Sequence, residues 1–324
     1  MANILIPGGA SYVGAMLVPR LLIDGHKVTV FDSLLFGHGL PESNDSLRII
    51  KADIRDTKAW EQACEDQDAC IYLASISREL MCQKNESLAH EVNVEAFVPA
   101  VRIAHAKGIK RFIYSSSVAI YGSSDHEVTE SEPLQPPSAR QPIYGRGKVA
   151  CEKVLLDYKD SNFCWTVTRS ASVCGYSSRQ RFDITVNRMV HDACRLGVIT
   201  VEGGEQVRSH IHMLDLCDFY KLLLKTRTDL IDRQAFNVVT QNQKVIDTAR
   251  IVAGVVGSPS MIKVVQRVDD RSYAVDGTKA REVLGFMPKR SIEQAVQDLK
   301  VRFDAGYWPD SLTNPVYQNM VADV

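Results

Sequence analysis

The chain of 324 residues reads as an α/β protein built on a doubly wound, parallel sheet. Three observations carry that reading. Short apolar runs alternate with helical stretches through the first half of the chain. The first run opens directly into a glycine-rich turn, Gly8-Gly9-Ala10-Ser11-Tyr12-Val13-Gly14, and the second ends in an acid, Asp32.

Taken in order, residues 4–6 predict a short buried strand. Residues 12–24 carry helical periodicity through Val13, Met16, Leu17, Leu21 and Leu22 and stop at Gly25, with Pro19 placed to kink the helix. Strands follow at 28–31, 47–51, 69–72 and 111–114, the last running into Ser115-Ser116-Ser117. The clearest helix between them spans 88–106. A strand at 165–168 continues the series. Beyond Cys174 the pattern changes to a polar, aromatic loop, a helix at 185–196 and a short strand at 199–201. A helix from Leu214, a strand at 236–239 and helices at 279–284 and 292–303 complete the chain, and Pro309 and Pro315 leave the tail irregular. No repeat or linker divides it. The expected organisation is a nucleotide-binding unit over 1–175, to which 214–240 returns, with 176–213 and 241–324 forming a smaller, interleaved substrate lobe.

A net charge of −1 argues against a general nucleic-acid or membrane-surface binder, so anionic ligands must meet local positive charge. The eight cysteines form no Cys-x-x-Cys and no cluster with histidine, which points to free thiols in a reducing cytoplasm and to no metal. Residues 1–6 lack a basic leader, and no window has membrane-spanning length. His210 and His212 alternate on a short strand without a third ligand and read as structural. Cys174 has no paired base and is not a candidate nucleophile.

The glycine-rich turn joins a strand to a helix, where backbone N–H groups and a helix N-terminus can hold a pyrophosphate. Asp32 can accept from a ribose 2′-OH and would repel a 2′-phosphate. No arginine sits immediately beside it in the sequence, so NAD is favoured over NADP. Pro142 suits the first turn of a helix, which puts Tyr144 and Lys148 four apart on one face. An ammonium beside a phenol favours the phenolate, so Tyr144 is a candidate general base for a hydroxyl proton.

These residues resemble the extended short-chain dehydrogenase/reductase family, of Rossmann-type fold, in its NAD-dependent nucleotide-sugar epimerase and dehydratase branch. The family turn Thr-Gly-x-x-Gly-x-x-Gly reads here from Pro7 to Gly14, with Pro7 and Ser11 as departures. Asp53-Ile54 resembles the adenine-contacting pair, Leu73-Ala74-Ser75 the His-Leu-Ala-Ala loop, and Asn93-Val94 a helix motif of the cofactor site. Ser115-Ser116-Ser117 with Tyr121-Gly122, then Tyr144 and Lys148, continue in order. The resemblance implies a catalytic set of Ser117, Tyr144 and Lys148. It implies cofactor contacts at Gly8, Ser11, Tyr12, Val13, Gly14, Asp32, Asp53, Ile54, Leu73, Ala74, Ser75, Asn93, Ser115, Tyr144 and Lys148. Arg208 resembles a phosphate-binding arginine and Arg271 a second; a guanidinium fork suits that task. Ser172 stands where an asparagine usually contacts substrate, Cys174 replaces a tyrosine, and Arg181 lies in a stretch similar to a bacterial subgroup acting on nucleotide-linked sugars.

What the chain lacks is also informative. The family's dehydratases place an Asp-Glu pair after the catalytic hydroxyl residue, its decarboxylases a Glu and its 3,5-epimerases a Cys at the second position. Val118-Ala119 matches none of these. The resemblance then implies reversible hydride transfer at one carbon, epimerisation of a nucleotide sugar at C4, of the UDP-galactose 4-epimerase type. A dehydrogenase that releases the keto sugar is the rival. A non-catalytic dinucleotide sensor is disfavoured by the intact Ser117, Tyr144 and Lys148 set. By analogy with the family, a homodimer would form through helices at 88–106 and 143–156.

Overall fold

The computed structural model describes residues 1–134, 142–159, 162–257, 261–266 and 272–320. Seven strands form one parallel sheet: β1 (Asn3–Pro7), β2 (Lys27–Asp32), β3 (Leu47–Lys51), β4 (Ala69–Tyr72), β5 (Arg111–Ser117), β6 (Cys164–Ser170) and β7 (Gln234–Val238). Their spatial order is β3-β2-β1-β4-β5-β6-β7. The winding reverses between β1 and β4, the place where open α/β sheets bind ligands beyond their strand ends.

Side chains alternate across the sheet with the period of two that a strand imposes. Ile4, Ile6, Val28 and Val30 face one layer with Leu17 and Leu21 of the first helix and Leu216 and Phe219 of the helix Met213–Lys225. Leu5, Phe31, Cys70 and Tyr72 face the other with Trp60, Phe97 and Leu155. Both faces are covered, so the strands read as continuous apolar runs. The stretch 214–240 supplies both that helix and the edge strand β7, which pairs with β6 from Gln234↔Thr166 to Val238↔Ser170.

Two helices differ from expectation in instructive ways. The first spans Gly14–Ile23 and runs through Pro19. Proline removes the N–H that would reach Ala15, and the freed Ala15 carbonyl accepts instead from Ser178 Oγ at 3.3 Å. The stretch 88–106 is not one helix. It is Glu86–His90, a π-helical turn Glu91–Glu95 and Phe97–Ala106. The wide turn serves Asn93, whose amide clamps the loop after β4: Oδ1 accepts from Ile76 N at 2.7 Å and Nδ2 donates to Ile76 O at 3.0 Å.

A third core joins the helices Thr185–Leu196, Val245–Val256 and Ile292–Asp304 through Phe182, Met189, Val252, Val296 and Phe303. The helix Val245–Val256 was not anticipated, although Val245, Ala249, Val252 and Ala253 are buried at helical spacing. Strands Ser172–Cys174, Val207–His212 and Gln241–Lys244 form a small mixed sheet beside it. No helix among the described residues is long and apolar enough to cross a membrane.

Candidate active site

The strand ends of β1, β2, β4 and β5 and the start of the Tyr144 helix meet along one edge of the sheet. At the end of β1 the chain turns through Gly8, whose φ of 77° and neighbours both require glycine; a Cβ there would come 2.6 Å from Ala74 N. This close approach seats the Leu73-Ala74-Ser75 loop against the turn, with Leu73 N donating to Pro7 O at 2.9 Å. Ser11 fits without strain, because its backbone is not left-handed and its N–H is bonded to Gly8 O at 3.1 Å. Tyr12 turns its ring into the core, where its hydroxyl donates to Gly175 O at 2.7 Å and accepts from Asn187 Nδ2 at 2.9 Å. Only the backbone of Tyr12 is left to face a ligand.

Asp32 closes β2 with each carboxylate oxygen holding one backbone N–H, Leu34 on Oδ1 at 2.9 Å and Ala10 on Oδ2 at 3.0 Å. Burial raises its pKa above the usual carboxylate value. Each oxygen keeps a lone pair for a ribose hydroxyl. An arginine does bear on this carboxyl, but it is Arg179, from far along the chain, which adjacency in sequence could not reveal. Asp53 is engaged by Arg55, at 2.8 Å from Nη2 to Oδ2, and that hydrogen bond holds its pKa low. Ile54 is buried in the core beside it. Ser75 Oγ donates to Asn93 Oδ1 at 3.1 Å, so Asn93 acts by fixing the loop.

The Tyr144 helix spans Ile143–Leu155, with Pro142 as its N-cap. Its first two N–H groups are bound by one carboxylate that the sequence reading missed: Glu79 Oε1 accepts from Ile143 N at 2.9 Å and Oε2 from Tyr144 N at 3.1 Å. The helix also presses on the loop after Ser117, since a Cβ on Gly145 would lie 2.7 Å from Ala119 O. Tyr144 thereby lies near Ser117, whose hydroxyl favours the phenolate and works against the rise in its pKa. Ser117 Oγ also accepts from Ala119 N at 3.2 Å, which starts the short 3₁₀ turn Val118–Tyr121.

Lys148 lies one turn on, 4% exposed, and donates from Nζ to Ser115 O at 2.6 Å. Its ammonium stands over the rings of Tyr114 and Tyr144, 4.8 and 5.4 Å from their centroids. Burial pulls its pKa down to about 8. The expected depression of Tyr144 is not found. Burial pushes the phenol up to about 12, and the cation that opposes this is Arg181. Ser115 Oγ accepts from Tyr220 of the helix Met213–Lys225 at 2.9 Å.

Beneath the set lies a buried polar network that the sequence did not disclose. Glu152, four residues after Lys148, receives Arg169 Nη2 at 2.7 Å and the Ser116 hydroxyl. Arg169 Nη1 donates to Tyr121 OH at 2.9 Å, and Tyr121 OH donates to Asn237 Oδ1 at 2.7 Å. The network ties the Tyr144 helix, β5, β6 and β7 together.

On the substrate side, Arg181 is held by Asp183, with Nε to Oδ1 at 2.9 Å and Nη2 to Oδ2 at 2.7 Å, and donates to Ser77 Oγ at 2.9 Å. Ser172 pairs in register with His210, and Arg208 lies over the Tyr273 ring at 5.8 Å. Arg271 lies outside the described residues. His212 Nδ1 accepts from Leu214 N at 3.1 Å and caps the following helix. His210 is fully buried, and burial lowers its pKa to about 4, which keeps it neutral. Burial likewise raises Cys174 to about 12, a neutral thiol.

Comparison with known proteins identifies the family and the fold. The model of the NAD dependent epimerase/dehydratase family matches residues 4–238. The chain is similar to a UDP-glucose 4-epimerase of Lactobacillus helveticus, at 27% identity over 89% of this chain and 92% of that one. It is also similar to one of Mycolicibacterium smegmatis, at 27% over 90% and 95%. Among solved structures, the UDP-glucose 4-epimerase of Thermotoga maritima with UDP-glucose superposes with a TM-score of 0.82 at 25% identity, over 94% of this chain and 99% of that one. A dTDP-glucose 4,6-dehydratase of Streptomyces venezuelae, solved with NAD, shares the fold at a TM-score of 0.83 and 23% identity, over 94% and 98%. The chain belongs to the NAD-dependent epimerase/dehydratase family, and its cofactor is NAD.

Proposed function

We propose that the protein is an NAD-dependent epimerase that inverts one carbon of a nucleotide-diphosphate sugar, C4, with UDP-hexoses as the first substrates to test. The observation that carries this reading is the convergence of Ser117, Tyr144 and Lys148 with Val118 and Ala119 as the next residues after Ser117. The fold is shared with a dehydratase, so side chains must decide the reaction, and neither Val118 nor Ala119 can give or take a second proton. The similarity to UDP-glucose 4-epimerases supports the same choice.

In this reading Tyr144 removes the proton from the sugar hydroxyl and later returns one, while Ser117 orients that hydroxyl. Lys148 supplies positive charge beneath the phenol and a donor for the nicotinamide ribose. The glycine-rich turn from Gly8 to Gly14 and the N-terminus of its helix hold the pyrophosphate, and Asp32 holds the adenosine ribose. Bound NAD supplies transient hydride acceptance. Arg208 and Arg271 would meet the sugar nucleotide's diphosphate, with Ser172 and Arg181 lining the sugar side. The division proposed is 1–175 with 214–240 for the cofactor, and 176–213 with 241–324 for the substrate. We place the protein in the cytoplasm as a homodimer through the helices Phe97–Ala106 and Ile143–Leu155, near which Val98 and Leu156 are about half exposed; a monomeric mass by light scattering would refute the dimer.

The test is to incubate the purified protein, without added cofactor, with UDP-, GDP-, CDP- and dTDP-sugars, following products by NMR and absorbance at about 340 nm, the NADH band. A new epimer over many turnovers establishes the reading. NADH accumulating with excess NAD, without an epimer, makes the protein a dehydrogenase. Tyr144→Phe should abolish turnover and leave NAD binding nearly intact; unchanged turnover would sink the mechanism.

A further inference from the structure

The segment 175–181 leaves the small mixed sheet and crosses the glycine-rich turn. Ser177 Oγ donates to Tyr12 O at 2.7 Å and Ser178 Oγ to Ala15 O at 3.3 Å. Gly39, in the loop that follows Asp32, packs so tightly on Ser178 that a Cβ would lie 2.4 Å from its carbonyl carbon. These contacts hold the next residue, Arg179, against the loop that follows Asp32. Its guanidinium stands 5.0 Å from the centroid of the Phe36 ring, on the loop after β2. Asp32 and Arg179 each act electrostatically on the other.

Arg179 is only 5% exposed, yet its hydrogen bonds go to carbonyls, Gln180 O at 3.3 Å and Val316 O at 3.2 Å. Among the described residues no carboxylate forms an ion pair with it, while Arg181 beside it has Asp183. A guanidinium buried without a counter-ion is costly, and such a group favours an anionic or hydroxyl-rich ligand. Nothing in the reaction proposed above uses it.

We propose that Arg179 is a cofactor-specificity residue: it lies across the adenosine ribose from Asp32, and the Asp32 carboxylate is what prevents it from receiving the 2′-phosphate of NADP. The chain then carries a latent phosphate site, masked by one negative charge. A fork of N–H donors suits a phosphate, and Asp32 supplies the repulsion that excludes it.

The experiment measures NAD and NADP binding by calorimetry to the full chain stripped of bound nucleotide, at about pH 8, above the second ionisation of a phosphate monoester. The variants are Asp32→Ser, Arg179→Gln, the two combined, and Asp32→Ser with Arg179→Lys. Asp32→Ser should tighten NADP binding by about tenfold or more, and adding Arg179→Gln should remove most of that gain while changing NAD affinity by less than about threefold. Arg179→Lys, which keeps the charge, should retain part of the gain, and added salt should weaken it. Equal NADP affinity of Asp32→Ser with arginine, lysine or glutamine at 179 would overturn the proposal. Urea midpoints of every variant show that each is folded, and the lysine variant keeps the comparison valid if glutamine destabilises the segment. NAD binding by the unmodified chain is the control: its failure would reject the cofactor reading, a result distinct from equal NADP affinities.

Discussion

Replacing Lys148 with methionine should change how stability depends on pH, in a direction fixed by its burial. Burial lowers the Lys148 pKa from 10.5 to about 8 in the cofactor-free fold. The unfolded chain therefore holds more protons than the folded one between those values, and stability rises with pH across that window. The shift of 10.5 to about 8 corresponds to about 3 kcal/mol of destabilisation, fully present below about pH 8 and lost as the pH passes the unfolded value. Between about pH 7 and about pH 10, this one group should add about 2.5 kcal/mol to the stability of the wild-type chain relative to Lys148→Met. The variant also leaves Ser115 O without its donor, but that loss is the same at every pH and does not enter the slope. Urea unfolding of both nucleotide-stripped proteins, followed by tryptophan fluorescence across this range, gives the difference directly. Parallel stability curves would refute the argument and show that the ammonium is solvated or paired in the fold.

Glu152→Gln should leave Arg169 buried without its counter-ion and cost about 3–5 kcal/mol, a fall of roughly 4–7 °C in Tm by calorimetry, whereas replacing both residues with methionine should recover much of it. An unchanged Tm would show that the pair is not a closed ion pair. Arg181→Gln removes the cation that opposes the burial of Tyr144, so the phenol's pKa rises and the acid limb of the kcat/KM profile moves to higher pH, by about half a unit or more. Arg181→Lys should move it less; a shift toward lower pH would contradict the assignment.

The sheet was legible because a strand buried on both faces leaves a plain apolar run, and seven such runs are spaced by helices. The Tyr144–Lys148 pair was legible because helical spacing fixes which residues share a face. What stayed hidden was contact between distant segments. Glu79 caps a helix that begins 64 positions later, through backbone N–H groups that carry no residue identity. Glu152 and Arg169 are polar residues on buried faces, and a sequence does not say which partner neutralises them. The π-helical turn at Glu91–Glu95 interrupts a stretch whose composition favours an ordinary helix, and only the clamp of Asn93 on Ile76 explains it. The reading of Tyr144's acidity failed for a related reason: spacing revealed its neighbour Lys148, whereas burial depth and Arg181 are products of the whole fold.

The unfinished helix at Pro19 has a consequence for synthesis. Ala15's carbonyl waits for a hydroxyl 163 positions further on, and β7 closes the sheet later still. At about 5–20 residues per second on the ribosome, that wait lasts roughly 8–33 s. Through that interval the first helix has an unmet acceptor, and β6, made only near its end, then keeps an open edge until β7 follows. Nascent chains of this protein should therefore depend on chaperone shelter until about residue 240 has emerged, and the cofactor site should become competent only then.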